Sequence, residues 1–265
     1  MLLAIDVGNT HTVIGVYRGE NLVADWRISS ILQQTDDEAG ARVKLLLGEA
    51  GLGPKDITQI GISSVVPNLT DIFAATARRW FSIDPVIIDS SLDLGMAIHY
   101  RNPRSVGADR LCNAIAGFAK YGGPLIIIDF GTATTYDVVA SDGAYLGGVI
   151  APGVETAAAD LHRRAAKLPK IELRLPREII GRDTETSMQV GVLYGAIDSM
   201  EGMIGRIQKA LAATETQTPR IIATGGFSTF ISQHTSLIDH CEPSLVLEGI
   251  RLVCQRLSPP PAPQT

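Results

Sequence analysis

One motif occurs twice in this chain, and the repetition narrows the possible folds more than any other feature. An apolar run, Leu2 to Ile5, ends at Asp6 and enters the turn Val7-Gly8-Asn9-Thr10-His11-Thr12-Val13. A second apolar run, Leu125 to Ile128, ends at Asp129 and enters Phe130-Gly131-Thr132-Ala133-Thr134-Thr135. Both copies continue alike, with β-rich residues (Val13 to Tyr17; Tyr136 to Val139), a turn holding Gly19 or Gly143, and another apolar segment. Self-similarity on this scale marks a duplicated unit. It predicts two related domains whose Asp-Gly turns face one cleft.

The turn has the composition of a phosphate site. Gly8 has no Cβ, so a ligand can approach the backbone there. The amides from Gly8 to Thr12 and two threonine hydroxyls are donors for phosphate oxygens. Asp6 cannot donate when ionised, so a carboxylate beside phosphates implies a cation between them, and Mg²⁺ is commonly held by one or two carboxylates, waters and nucleotide phosphates. A single such turn reads equally well as a hairpin punctuated by Gly and Asn. The second copy favours nucleotide binding.

Length and composition set bounds. A chain of 265 residues accommodates one or two domains and buries roughly three quarters of its unfolded surface, so no disulfide or metal staple is required. With 45% hydrophobic and 19% charged residues, it is a globular rather than a disordered composition. The net charge of −5 argues against nonspecific nucleic-acid binding; an anionic ligand must be held by local amides, single cationic side chains and metal ions. Cys112, Cys241 and Cys254 show no CxxC spacing and no adjacent His, and read as buried thiols in a reducing compartment. Met1 leads directly into the first strand without a basic-then-apolar leader, and no apolar run approaches the ~20 residues of a membrane span. A soluble, cytoplasmic protein is expected.

Along the chain, Leu2–Asp6, Thr12–Arg18 and Leu22–Ser29 read as strands, with the hairpin turn at Arg18 to Asn21. Thr35-Asp36-Asp37-Glu38 caps a helix that presents Ala39, Val43, Leu46 and Leu47 on one face. Ile57–Val66 reads as a strand, Pro67–Phe81 as a helix with proline at its start, Pro85–Ile88 as a short strand, and Val106–Ala119 as a helix. Tyr121-Gly122-Gly123-Pro124 marks the boundary between domains 1–121 and 122–257, with the last helix able to pack on the first domain. In the second half, a third strand punctuated by Gly147-Gly148 and Pro152-Gly153 leads to a helix from Val154 to about Ala166. The segment 168–182 is a flap or a surface loop. A long helix follows from about Thr186 to Leu211. Gly191, Gly195, Gly202 and Gly205 weaken it, so they are expected to be sites of close packing against a sheet or a partner chain. Ile221 to Gly226 is a buried strand ending in another glycine turn, and about 245–257 is the last helix. The proline-rich tail, 258–265, is expected to be disordered.

His99-Tyr100-Arg101-Asn102-Pro103 precedes Gly107-Ala108-Asp109-Arg110 at the start of a helix. Taken alone, Asp109 and Arg110 are as readable as a dipole-favoured acid and a solvated base. Together with the other motifs they carry a resemblance. Asp6-Val-Gly-Asn-Thr10, Tyr100, Gly107 to Arg110, Asp129-Phe-Gly-Thr-Ala-Thr-Thr135, Gly147-Gly148 with Pro152-Gly153, Lys167-Leu168-Pro169, Thr184 with Ser187-Met188-Gln189, and Thr224-Gly225-Gly226 closely resemble type III pantothenate kinase, within the actin, sugar-kinase and heat-shock ATPase superfamily. The match spans nearly the whole chain in order and omits the proline-rich tail.

The resemblance implies an α/β fold of two ribonuclease-H-like domains, each a mixed five-stranded sheet flanked by helices, with ATP in the cleft between them. It implies ATP-dependent phosphorylation of the primary hydroxyl of pantothenate, the first step of coenzyme A synthesis. Asp6, Val7, Gly8, Asn9, Thr10, His11, Thr12 and Val13 would bind ATP, Asp6 lying beside the phosphates and their Mg²⁺, and Thr132 would add a contact. Asp129 would hold a monovalent cation, K⁺ or NH₄⁺. Tyr100, Gly107, Ala108, Asp109, Arg110 and Thr184 would bind pantothenate, Arg110 meeting its carboxylate and Asp109 acting as general base. With an ordinary pKa of ~3.9 Asp109 is ionised at neutral pH. A homodimer is implied, with Thr184 a candidate for sharing between subunits. An actin-type ATP-hydrolysing assembly or regulatory protein is the competing reading, but it needs no acceptor pocket. A sugar kinase would group Asn, Asp and Glu residues for hydroxyl recognition, and no such group occurs. His99, His162, His234 and His240 share no spacing and read as surface or satisfied histidines, and Arg163 and Arg164 read as a solvated helix face.

Overall fold

The computed structural model describes residues 1–258, so the expectation for the tail beyond Ser258 lies outside the described residues. Among the described residues the chain forms two compact units, Met1–Ala119 with residues 245–258, and Lys120–Ser244. The division falls near the glycine-rich segment at 121–124, and the final helix is part of the first unit.

In the first unit β1 (Leu2–Val7), β2 (His11–Arg18) and β3 (Asn21–Ser29) form an antiparallel meander, and β4 (Gln59–Ser64) and β5 (Val86–Ile87) extend the other edge in parallel, giving the order β3-β2-β1-β4-β5. Burial follows position in the sheet. Central β1 is buried along nearly its whole length, whereas edge strand β3 alternates exposed and half-buried residues, the period of a strand with one covered face. Helices α1 (Asp36–Glu49) and α2 (Pro67–Phe81) cover one face through Val43, Leu47, Leu69 and Phe73, which pack with Leu3, Ile5, Ile60 and Ile62. The Thr35 hydroxyl accepts from the Glu38 amide at 3.2 Å while the Thr35 amide donates to Glu38 Oε2 at 2.8 Å, closing a capping box,.

Helices α3 (Ala108–Tyr121) and α7 (Leu245–Leu257) also pack in this unit. A Cβ on Gly15 would lie 2.7 Å from Leu247 Cδ1, and one on Gly249 would run into the Cys112 carbonyl. Small residues therefore let α7 sit down on β2 and against α3. The α3 helix begins later than periodicity suggests because Pro103–Ser105 forms a 3₁₀ turn and Val106 is extended. Similarly, β4 starts after a 3₁₀ turn at Pro54–Asp56.

The second unit repeats the plan. Here β6 (Leu125–Phe130), β7 (Ala133–Val139) and β8 (Tyr145–Pro152) form the meander, and β9 (Arg220–Thr224) and β10 (His240–Cys241) add in parallel, in the order β10-β9-β6-β7-β8. Helices α4 (Val154–Arg164), α5 (Thr184–Leu211) and α6 (Ser228–Ser232) complete it. Ile197, Met200 and Ile204 of α5 pack with Ile126, Ile128 and Ile221 of the sheet. A fold of two mixed five-stranded sheets flanked by helices is thus present, with duplicated topology.

Some expectations need correction. Nothing lies within 4 Å of a Cβ built on Gly191, Gly195, Gly202 or Gly205, so these glycines do not mediate packing against the sheet; they leave an exposed strip of bare helix. Cys241 is exposed, whereas Cys112 and Cys254 are buried. The segment after α4 is partly anchored: Ile171, Leu173 and Leu175 pack against Val154, Ala158, Val192 and Leu193, and Gln189 donates to the Glu172 carbonyl at 2.9 Å. Among the described residues no helix is long and apolar enough to cross a membrane.

Candidate active site

The first Asp-Gly turn is built by β1, β2 and the end of β3. The Gly8 amide donates to the His11 carbonyl at 3.0 Å, and a Cβ on Gly8 would lie 2.9 Å from that same oxygen, so a side chain would disturb the hydrogen bond that closes the turn. Ser30 braces it from outside: its amide donates to the Thr10 carbonyl at 3.0 Å and its hydroxyl to the Gly8 carbonyl at 2.7 Å. Thr12 is 1% exposed and its hydroxyl pairs with Ser30 Oγ at 2.9 Å. Of the two threonine hydroxyls, only that of Thr10 is therefore on the exposed tip, with Asn9; His11 and Val13 are half-buried and Val7 is wholly buried. Asp6 is half-buried at the end of β1 and accepts from Ser63 Oγ at 2.8 Å.

The second turn is shaped differently. The Gly131 amide donates to the Ala133 carbonyl at 3.1 Å, and Thr156 Oγ1 and the Gly153 amide donate to the Thr132 carbonyl at 2.6 and 3.2 Å. Thr132 is exposed. A Cβ on Gly153 would collide with the Gly131 and Thr132 carbonyls, and one on Gly225 (φ +86°) with Asp129 Oδ1. Glycine at both positions lets α4 and the turn after β9 close around the half-buried Asp129.

The first turn of α3 holds the third carboxylate. Asp109 is half-buried, and its Oδ1 accepts the Arg110 amide at 2.8 Å. A Cβ on Gly107 would run into that same oxygen. Burial pushes the Asp109 carboxyl above the ordinary aspartate value, opposed by the Arg110 amide and guanidinium and by its own amide. This corrects the expectation of an unperturbed acid. Arg110 is only 7% exposed; it is not a solvated helix residue. Ala108 is buried, Gly107 half-buried, and Tyr100 is 37% exposed on the preceding loop. In the first unit, then, Asp6, its turn and Asp109–Arg110 stand on β1 and α3 of one body, while Asp129, Thr132 and Thr184 stand on the second.

Thr184 is exposed at the first position of α5, whose N-cap, Asp183, accepts from the Thr186 amide at 2.8 Å. It opens onto a groove of about 1060 Å³ between α4 and α5, lined also by Ser187, Met188, Gly191 and Gly195. Three of the remaining histidines have local roles: His162 Nδ1 and His234 Nδ1 lie 2.8 Å from the Leu168 and Phe230 carbonyls, and His240 stacks on Tyr121 at 4.1 Å. Arg163 and Arg164 are solvated and pair with Asp160. Sequence reasoning missed Ser30 and Ser63, which reach the turn from distant positions. Their one signal was hydroxyls at strand ends, Ser63-Ser64 closing an otherwise apolar Ile60-Gly61-Ile62.

Comparison with known proteins bears on the family and the fold. A family model described as type III pantothenate kinase matches residues 2–206. A type III pantothenate kinase of Exiguobacterium sp. (strain ATCC BAA-1283 / AT1b) is 43% identical over 97% of this chain and 99% of its own length, and that of Geobacter sulfurreducens is 44% identical over 97% and 99%. Among solved structures, a conserved putative Baf family transcriptional activator from Campylobacter jejuni aligns with TM-score 0.60 at 15% identity, covering 96% of this chain and 98% of that one. The activator of 2-hydroxyisocaproyl-CoA dehydratase from Clostridium difficile, with bound ADPNP, aligns with TM-score 0.53 at 14% identity over 98% and 99%. These two support the actin-like ATPase fold. The sequence matches are decisive for the family: the chain belongs to the type III pantothenate kinases, enzymes that use ATP to phosphorylate the primary hydroxyl of pantothenate at the start of coenzyme A biosynthesis.

Proposed function

We propose that Asp109 is the general base of this reaction, taking the proton from the pantothenate hydroxyl as the γ-phosphoryl group arrives. The observation that carries this reading is a carboxylate in the first turn of α3, cleared by Gly107 and backed by a buried arginine. Phosphoryl transfer passes through a loose transition state, so the protein contributes mainly position and charge neutralisation. Asp109 orients the hydroxyl early and accepts its proton late. Tyr100, Gly107, Ala108, Arg110 and Thr184 bind pantothenate, Arg110 supplying the cation for its carboxylate. The turn from Asp6 to Val13 binds ATP with Thr132. Exposed Asn9 and Thr10 are the residues of that turn best disposed to meet phosphates, whereas Val7 and Thr12 hold its shape.

Among the described residues no group of three or more His, Cys, Asp or Glu side chains is arranged to hold a metal ion. Single carboxylates at Asp6 and Asp129 suit ions that complete their coordination with other ligands: Mg²⁺ carried on the nucleotide's phosphates at Asp6, and K⁺ or NH₄⁺ at Asp129. When bound, these cations neutralise charge building on the phosphates. Three free cysteines support a reducing compartment, the cytoplasm. The protein works as a homodimer. The α4–α5 groove and the bare glycine strip of α5 give a second copy an apolar seat with close backbone approach, and Thr184 at its rim would then serve a shared site.

ADP release measured with and without pantothenate, in Na⁺ and in K⁺ buffer, tests the reading. Release that depends on pantothenate and rises with K⁺ is expected. Equal release without pantothenate would instead favour the ATP-hydrolysing switch, and equal rates in both buffers would remove the cation from Asp129.

A further inference from the structure

We propose that Ser63 is a positioning residue for the nucleotide, fixing the Asp6 carboxylate in the orientation that receives Mg²⁺-ATP. The proposal rests on the reading of Asp6 given above. Ser63 is 0% exposed and stands directly beside Asp6 in the parallel pairing of β1 with β4. Its hydroxyl donates to Asp6 Oδ1 at 2.8 Å. An aspartate carboxyl turns about a broad, roughly two-fold torsion, so a donor fixed in a strand backbone selects one orientation from many. A buried hydroxyl without a partner destabilises a core strand. This one is partnered, by Asp6.

Cys112 connects this pair to the other half of the chemistry. It is 0% exposed on α3, three residues after Asp109 and so on the same side of the helix,. Burial, and then the nearby charges of Asp6 and Asp109, hold the thiol well above its ordinary value, with the Ser63 hydroxyl pulling the other way. The thiol therefore stays neutral, a small uncharged side chain that feels both carboxylates. Ser63 thus stands where the nucleotide carboxylate meets the helix of the base. The duplicated half has the same arrangement in outline: Thr224, 2% exposed, is the register partner of Asp129 on parallel β9. A hydroxyl on the neighbouring parallel strand accompanies the Asp of both turns.

Outer partners of metal-binding groups are commonly worth about 10- to 100-fold in metal affinity or activity. The test is calorimetric titration of ATP, in Mg²⁺ and in EDTA without pantothenate, into the wild type, Ser63→Ala, Ser63→Thr and Asp6→Asn, alongside steady-state kinetics and unfolding midpoints. Ser63→Ala is expected to lose about tenfold of the affinity gained from Mg²⁺, with metal-free ATP binding held. The KM for Mg²⁺-ATP should rise and that for pantothenate stay. Ser63→Thr, which keeps the hydroxyl, should recover most of the loss, and Asp6→Asn should abolish the Mg²⁺ gain. An unchanged gain in Ser63→Ala beside a lost one in Asp6→Asn would overturn the role of Ser63 and leave Asp6 standing. An unchanged gain in Asp6→Asn would overturn the reading of Asp6 and this inference with it. Equal weakening with and without Mg²⁺ in Ser63→Ala, or no recovery in a Ser63→Thr variant of wild-type unfolding midpoint, would assign Ser63 to packing alone.

Discussion

Asp109 carries two opposed demands. Its folded-state pKa lies above the unfolded value because burial disfavours the charge,. The folded protein therefore binds this proton more tightly than the unfolded chain does. Its contribution to stability is most favourable below the ordinary carboxylate range and declines as pH rises from that range through the raised value. At neutral pH a carboxyl whose folded pKa is raised costs the fold stability, so Asp109→Asn should leave the urea midpoint at pH 7 equal to or above that of the wild type,. A clear fall would contradict the burial argument. If Asp109 is the base, the same shift should move the acid limb of the kcat/KM profile, which reports the free enzyme's base, above the ~3.9 of an ordinary aspartate. Gly107 has a narrower role: its Cβ would meet Asp109 Oδ1, so Gly107→Ala should lower kcat at least tenfold with little change in Mg²⁺-ATP affinity, measured by titration. Asp6, Asp109 and Asp129 were visible in the sequence because motif spacing exposes residues close together in the chain. The upward shift of Asp109 was not, because it comes from residues that surround it only after folding. Ser63, 57 positions from Asp6, was hidden for the same reason.

At the level of elements, most strands and helices follow from local signals. Pro67 begins α2, the capping box of Thr35 and Glu38 begins α1, and alternating burial marks β3. Thr35→Ala should reduce stability by about 1 kcal/mol, read from urea unfolding. The two-residue strands β5 and β10 give little or no periodic signal, and β10 went unanticipated. Helix α7 follows the second sheet in the chain but packs in the first unit, where Gly249 abuts the Cys112 carbonyl and the Arg251 guanidinium donates to both Glu248 carboxylate oxygens at 2.6 and 2.9 Å. Adding even a methyl against backbone overpacks the contact, so Gly249→Ala should destabilise by about 1–3 kcal/mol; unchanged urea stability would show that α7 can shift at no cost. Of the two packings expected for the α5 glycines, the one against the sheet is absent, and the one against a partner chain is left to the dimer proposal. Sequence shows that bare backbone is available on a helix, but not what, if anything, approaches it.

For the whole molecule, duplication is the organising fact. Two sheets of matching order each end a central strand in an aspartate followed by a glycine turn, and repetition in the sequence was sufficient to anticipate that plan. Assembly is less legible, because an interface leaves no periodic trace in a sequence. If Thr184 serves a shared site, specific activity should fall on dilution as dimers dissociate, followed by light scattering at matched concentrations; constant activity in the monomer would exclude sharing. The central claim, that Asp109 takes the substrate proton, is tested most directly by comparing pantothenate-dependent turnover of Asp109→Asn with that of the wild type at saturating Mg²⁺-ATP. The account predicts a loss of about 10²- to 10⁴-fold with Mg²⁺-ATP affinity retained, and near-normal turnover in that variant would contradict it.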